Sequence, residues 1–245
     1  MKSYINCIIS TAFITLFFVG KAYSQYGGGT GQISIGSSTY SVLSFDNTNA
    51  WNKVFITDRP FNSTYQTGSP FIYNEWKLAD IITAENKAEI LNVPARIDAK
   101  SNVIEINHDG KVKVLHSSNT YSLVFKTSKE IFVSNKVLGI TEPEGFFKII
   151  YNEKSSLICH YSTKLIEGTY NPVLDAGIKE NKLLVEPTYY MIKNGKLVKL
   201  EKNRKKLIRQ FNDQPEVVQY IKNQHITPKL EEDLLKLIGF IDKLS

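Results

Sequence analysis

The chain has 245 residues, 30 Lys or Arg against 24 Asp or Glu, a formal charge of +6, and two cysteines. That length supports one domain with an ordinary hydrophobic core. Two cysteines exclude a disulfide-dense scaffold, and so small a net charge argues against a dense nucleic-acid-binding surface.

The chain opens with the layout of a secretory signal peptide over 1–24. Lys2 is a short positive head, an apolar run follows, and Ala22-Tyr23-Ser24 supplies the small residues that precede a cut before Gln25. The apolar run, about 15 residues, falls short of the ~20 that a membrane span needs. Cys7 lies inside that run, so it is not placed for lipidation, and loss of the leader leaves Cys159 alone. Loss of Lys2 and Lys21 lowers the charge by two.

Residues 25–66 are rich in Gly, Ser and Thr, and 25–31 read as a flexible tail. "GGGTG" lacks the lysine and the preceding strand of a phosphate loop. Residues 52–66 read as one short strand and a loop, carrying the Asn62-Ser63-Thr64 sequon.

From 67 to 200 the pattern is strands and turns. "PFIYNEWKLADIIT" and "LNVPARID" read as strands. Three hairpins follow: "VIEIN-HDG-KVKVL", "GFFKIIY-NEKS-SLICHYST" and "KLLVEPTYYMIK-NG-KLVKL". Asp109-Gly110 and Asn194-Gly195 are type I′ turn pairs, which need positive φ at both central residues. Pro94 and Pro187 are expected at strand edges or bulges. Strands of five to seven residues at short intervals predict a mainly β domain. It is an antiparallel meander in a sandwich, curved sheet or open barrel.

Residues 201–245 turn helical and are expected to pack on the β domain. Asn203 caps a first helix with Leu207, Ile208 and Phe211 inward. Asp213 caps a second, with Val217, Val218 and Ile221 inward. Thr227-Pro228 starts a third, whose stripe is Leu230, Leu234, Leu237, Ile238 and Ile241.

Catalytic signatures do not assemble. Cys159 and His160 are strand neighbours, so their side chains diverge, and Cys159 shares a face with Leu157 and Tyr161. His108, His116, His160 and His225 lack metal spacing. Glu142 and Glu144 flank an exposed turn, while Glu130, Asp175 and Glu186 are scattered. No G-x-S-x-G occurs. No catalytic, cofactor or metal residue is therefore assigned.

Two segments attract a binding reading. The 167–182 loop is long for a meander. Tyr170, Pro172, Val173 and Leu174 predict that it packs down over a sheet edge, and Tyr170, Asn171, Pro172 and Asp175 are its candidate partner contacts. The 191–211 stretch holds eight Lys or Arg and one acid, Glu201. Most of these charges fall on solvated sides. Arg204, Lys205 and Lys206, however, crowd a helix N-terminus, where the dipole disfavours cations. They are the candidate contact for an anionic lipid or acidic partner.

The order "GSPFIYNEWKLADI", "INHDGKVKVL", "TYNPVLDAG", "YYMIKNGKLVKL" and "EEDLLKLIGFID" resembles an uncharacterised family of exported proteins of Bacteroidetes-type bacteria, over 68–241. The chain departs from it at "TAENKAEI". The resemblance implies export and a β-then-helical layout, with no activity or catalytic residue attached.

These readings lead to an exported, non-enzymatic cell-envelope protein of the periplasm or cell surface. It has a binding or structural role, no nucleic acid, no cofactor and no transmembrane span after the leader. The alternative is an envelope-polymer hydrolase with a carboxylate site not visible in sequence. An outer-membrane barrel is disfavoured by the short expected strands and the helical tail.

Overall fold

The computed structural model describes residues 32–35, 38–41, 66–84, 88–108, 110–171 and 173–244. The expected leader over 1–24, the expected 25–31 tail, the 52–65 segment with its sequon, Asp109 and Pro172 lie outside the described residues.

Strands β1 (Gln32–Ile35) and β2 (Ser38–Ser41) pair with each other. The main sheet contains β3 (Gln66–Gly68), β4 (Lys77–Thr83), β5 (Glu89–Asp98), β6 (Val103–His108), β7 (Lys111–His116) and β8 (Thr120–Phe125). It continues through β9 (Ile131–Ser134), β10 (Phe146–Asn152), β11 (Ser156–Ile166), β12 (Asn181–Lys193) and β13 (Lys196–Lys199). Three helices follow, α1 (Arg204–Gln210), α2 (Pro215–Asn223) and α3 (Glu231–Leu244).

The eleven strands form one open sheet, ten of them in the order β13-β12-β11-β10-β9-β8-β4-β5-β6-β7. All neighbours on that path are antiparallel, and β3 adds in parallel to the start of β12. The fold is thus mainly β with helices at its C-terminal end, as the hairpin pattern predicts.

Strands β7 and β8 are separated in the sheet by β6, β5 and β4. Laid flat, they would stand about 19 Å apart. Only the 3-10 turn Ser117–Asn119 joins them, and the chain from His116 to Thr120 reaches at most about 14 Å. The sheet must therefore roll up. Its inner face is filled by Ile81, Val93, Ile97, Ile104, Ile106, Leu115, Leu123, Phe125 and Phe132, all buried, with Ile72 and Tyr73 packed against them.

The inner face continues under the helices. Leu157, Cys159, Tyr189, Met191 and Leu200 meet Leu207, Phe211, Val217, Ile221, Leu234, Leu237, Ile238 and Ile241. On the opposite face, Phe147 and Ile158 are covered with Ile140, and Val137 and Leu138 pack beside them. Cys159 thus falls on the helix side with Leu157, whereas His160 points away and its ring lies tilted beside Phe147, centroids 5.0 Å apart.

Several expectations need correction. Strands β5, β11 and β12 run 10, 11 and 13 residues, longer than the expected five to seven. Strand β4 begins only at Lys77, because the preceding chain crosses to β5, where Phe71 bridges Asp98 and the Ile72 N–H donates to the Ile97 carbonyl. Gln214, not Asp213, occupies the N-cap position of helix α2, without a side-chain capping bond, and the helix starts with Pro215. A proline at the first helical position needs no N–H there, and that signal outranks the aspartate. Thr227-Pro228 opens a turn, not the helix. The Leu230 N–H donates to the Thr227 carbonyl, and α3 starts at Glu231. Leu230 is accordingly 55% exposed, while the other four stripe residues are buried.

Other readings are met. Asn194 and Gly195 both have positive φ at the β12–β13 turn. Pro94 follows the irregular β4–β5 register near Asn92, whose φ is 56°. The Tyr189 carbonyl faces the outer edge of β12, accepting from the Leu200 N–H. Strand alternation turns Pro187 to the same edge, where its missing N–H blunts pairing.

Candidate functional site

Register decides which side chains meet on the inner face. Phe132, Lys148 and Cys159 are opposite one another across β9, β10 and β11, and Tyr189 lies opposite Cys159 on β12. Lys148 is thus a cation on an apolar face, and it is only 13% exposed. Its ammonium lies 3.0 Å from Glu130 Oε1 and 3.0 Å from both Glu231 oxygens. Glu130 precedes β9, and Glu231 opens α3. The Tyr73 hydroxyl donates to Glu130 Oε1 at 2.7 Å, and the Ser128 hydroxyl donates to Oε2 at 2.8 Å. Lys77 Nζ sits 3.3 Å over the Tyr73 ring.

The ionisation states follow. Burial pushes the Glu130 carboxyl up, but hydrogen bonds from Tyr73, Lys148 and Ser128 outweigh it and hold the group below its usual range. Burial pulls Lys148 down, but bonds to Glu130 and Glu231 outweigh it and hold the ammonium above its usual range. Burial, then the Glu130 bond, pushes Tyr73 well up. Burial pushes the Cys159 thiol up to about 12 and the Tyr189 phenol up to about 12. At neutral pH the cluster holds an ion pair between two carboxylates and one ammonium, beside a protonated thiol. Glu130 and Glu231, which sequence alone leaves unconnected, therefore converge. The available sequence signal was a lone lysine inside the apolar run "GFFKIIY"; its partners lie 18 and 83 residues away.

His160 is buried, which lowers its basicity. Its Nε2 lies 2.9 Å from the Glu144 carbonyl, so Nε2 carries the proton and donates. Glu142 and Glu144 are exposed, as the turn reading predicts. Among the described residues no group of three or more His, Cys, Asp or Glu is placed to hold a metal ion.

The 167–180 loop does not pack down. Val173 is 88% exposed, Leu174 71% and Ile178 67%. The loop orders itself. Asn171 and Ala176 exchange backbone hydrogen bonds, and Asn171 Oδ1 accepts from the Val173 N–H. The Tyr170 hydroxyl donates to Asp175 Oδ1 at 2.7 Å, and Lys179 lies 3.6 Å from the same carboxylate. Gly177 has φ +103°, and a Cβ there would strike the Thr169 carbonyl. Tyr170, Asn171 and Asp175 therefore hold the turn together, while Val173 and Leu174 form its tip.

The basic cluster separates. Asn203 Oδ1 caps α1, accepting from the N–H groups of Lys205 and Lys206. The Arg204 guanidinium turns to α2 and donates to the Ile221 and Lys222 carbonyls at 3.1 and 3.0 Å. A cation at one helix start is thereby held by another helix's C-terminus. Lys205 and Lys206 remain exposed.

No helix among the described residues is long and apolar enough to cross a membrane. No family model matches the chain, and neither a curated protein nor a solved structure matches it, so the site rests on its own geometry.

Proposed function

We propose that this chain is an exported, non-enzymatic protein of the bacterial cell envelope, periplasmic or at the cell surface, with a binding or structural role. The leader-like 1–24 segment supports export. The observation that carries the binding role is the self-ordered loop with Val173 and Leu174 at its tip, because the fold spends hydrogen bonds on presenting apolar side chains to solvent. Tyr170, Asn171 and Asp175 shape that contact from behind. Lys205 and Lys206 offer a second, anionic contact. A non-enzymatic role is supported by the state of the inner cluster, where Lys148 bridges Glu130 and Glu231 and the Cys159 thiol is held protonated.

Capture of envelope components by the tagged 25–245 protein, compared with a Val173→Ser/Leu174→Ser variant, tests this reading. A component retained by the parent and lost by the variant is expected. Equal capture by both would remove the loop from function.

The convergence of Glu130 and Glu231 favours one second reading, an envelope-polymer hydrolase using that carboxylate pair. Release of soluble fragments from purified envelope polymer, abolished in Glu130→Gln and in Glu231→Gln, would establish it. The ion pair with Lys148 predicts no release.

A further inference from the structure

The arm that carries the loop is built differently from the rest of the sheet. Strand β10 follows β11 only as far as the Phe147–His160 pair, while β11 and β12 stay paired to Ile166 and Lys182. The 161–166 half of β11 therefore runs on beyond its β10 neighbour, paired only with β12. Half of the exposed large hydrophobic residues among the described residues fall in or beside the loop at its end: Leu165, Ile166, Val173, Leu174 and Ile178.

The charges nearest the tip are matched, while Glu167 and Glu180 stay exposed at the base of the loop. Asp175 is the acid nearest the tip, and its carboxylate is taken by the Tyr170 hydroxyl and by Lys179, which also lies 4.2 Å over the Tyr170 ring. Little uncompensated charge would enter an apolar medium with Val173 and Leu174. Farther back, Lys164 and Lys182 are exposed and share one face of the arm with Ile166. Long lysine stems on an apolar face keep their ammonium groups at a polar boundary while the stems lie in the apolar side. Tyr170 likewise joins an apolar ring to a polar end.

A flat apolar patch fits a protein partner. Two aliphatic side chains left 88% and 71% exposed on a hydrogen-bonded turn fit a medium that closes round them. We infer that the tip that carries Val173 and Leu174 inserts into the interfacial layer of a phospholipid bilayer, with Lys164 and Lys182 set at anionic headgroups. This rests on the reading of the loop as a contact loop and names what it contacts.

Co-sedimentation of the 25–245 protein with vesicles of phosphatidylethanolamine and phosphatidylglycerol tests the inference. The parent should partition into the pellet. Val173→Ser/Leu174→Ser should weaken partitioning about tenfold or more. Val173→Leu/Leu174→Ile should keep it, because a bilayer reads apolarity and not side-chain shape. Lys164→Gln/Lys182→Gln should weaken binding to the anionic vesicles and leave binding to phosphatidylcholine vesicles unchanged. Far-ultraviolet circular dichroism of each variant verifies the fold. A parent that stays in the supernatant, or a serine variant that sediments equally, overturns the inference. If vesicles fail to bind while envelope capture still depends on Val173 and Leu174, the tip meets a protein, and the contact-loop reading outlives the bilayer one. Loss of both overturns both.

Discussion

Lys148 in β10 holds both carboxylate oxygens of Glu231 at 3.0 Å, and so ties the first residue of α3 to the inner face of the sheet. The bond lies in a half-buried setting, with Lys148 13% and Glu231 35% exposed. Removing the cation leaves Glu130 inward-facing without its ammonium. Lys148→Met should therefore cost about 2–3 kcal/mol in urea unfolding. Glu231→Gln, whose partner keeps Glu130, should cost about 1 kcal/mol. The double variant should cost less than the sum, which a double-mutant cycle reads directly.

The same cluster sets two limbs of the stability–pH curve. The folded-state Glu130 carboxyl is depressed, so its contribution is present above 4.5 and lost as pH falls through its folded value. Lys148 is raised, so its contribution is present below 10.5 and lost as pH rises through its folded value. Glu130→Gln should flatten the acid limb, and Lys148→Met the alkaline one. Glu89 has the opposite sign to Glu130. Burial, then Asp80, raises it, so it favours the fold below 4.5 and loses that contribution as pH rises through its folded value. Glu89→Gln should therefore raise the denaturation midpoint at pH 7 and not at pH 3.

Cys159 is fully buried, and burial pushes its thiol up to about 12. Thiolate, not thiol, is the nucleophile. Native protein at pH 8 should resist iodoacetamide, while unfolded protein is modified completely. Mass spectrometry of the intact chain follows the difference. Rapid native modification would mean that the inner face opens around β11.

Local chemistry made much of this fold legible. Asn194-Gly195 marks its turn because asparagine and glycine tolerate positive φ far better than most residues, and both adopt it here. Asn203 and the 207–211 spacing mark α1 for another local reason: a short side-chain oxygen accepts from the first free N–H groups, and the apolar residues then recur at helical spacing. Facts that depend on register across many strands were not legible. Lys148 meets Glu231 because β10 lies opposite the start of α3, and Glu130 because β9 lies beside β10. The loop misled for a related reason. Tyr170 looked like an anchor to the sheet, yet its hydroxyl bonds to Asp175 five residues on, so the loop closes on itself.

Arg204, Lys205 and Lys206 form one basic run in sequence but should respond differently to substitution. Arg204 caps the last carbonyls of α2, and its charge lies where that helix's dipole is negative. Arg204→Ala should cost about 1–2 kcal/mol, because two carbonyls lose their donor. Lys205 and Lys206 lend only backbone N–H groups to the Asn203 cap, which any residue except proline supplies. Their alanine variants should therefore lie within about 0.5 kcal/mol of the parent. Asn203→Ala should cost about 1 kcal/mol, the usual value of a helix cap. Urea midpoints for the four variants rank these roles. A destabilised Lys206→Ala beside an unaffected Arg204→Ala would reverse the assignment and return the run to a single surface patch.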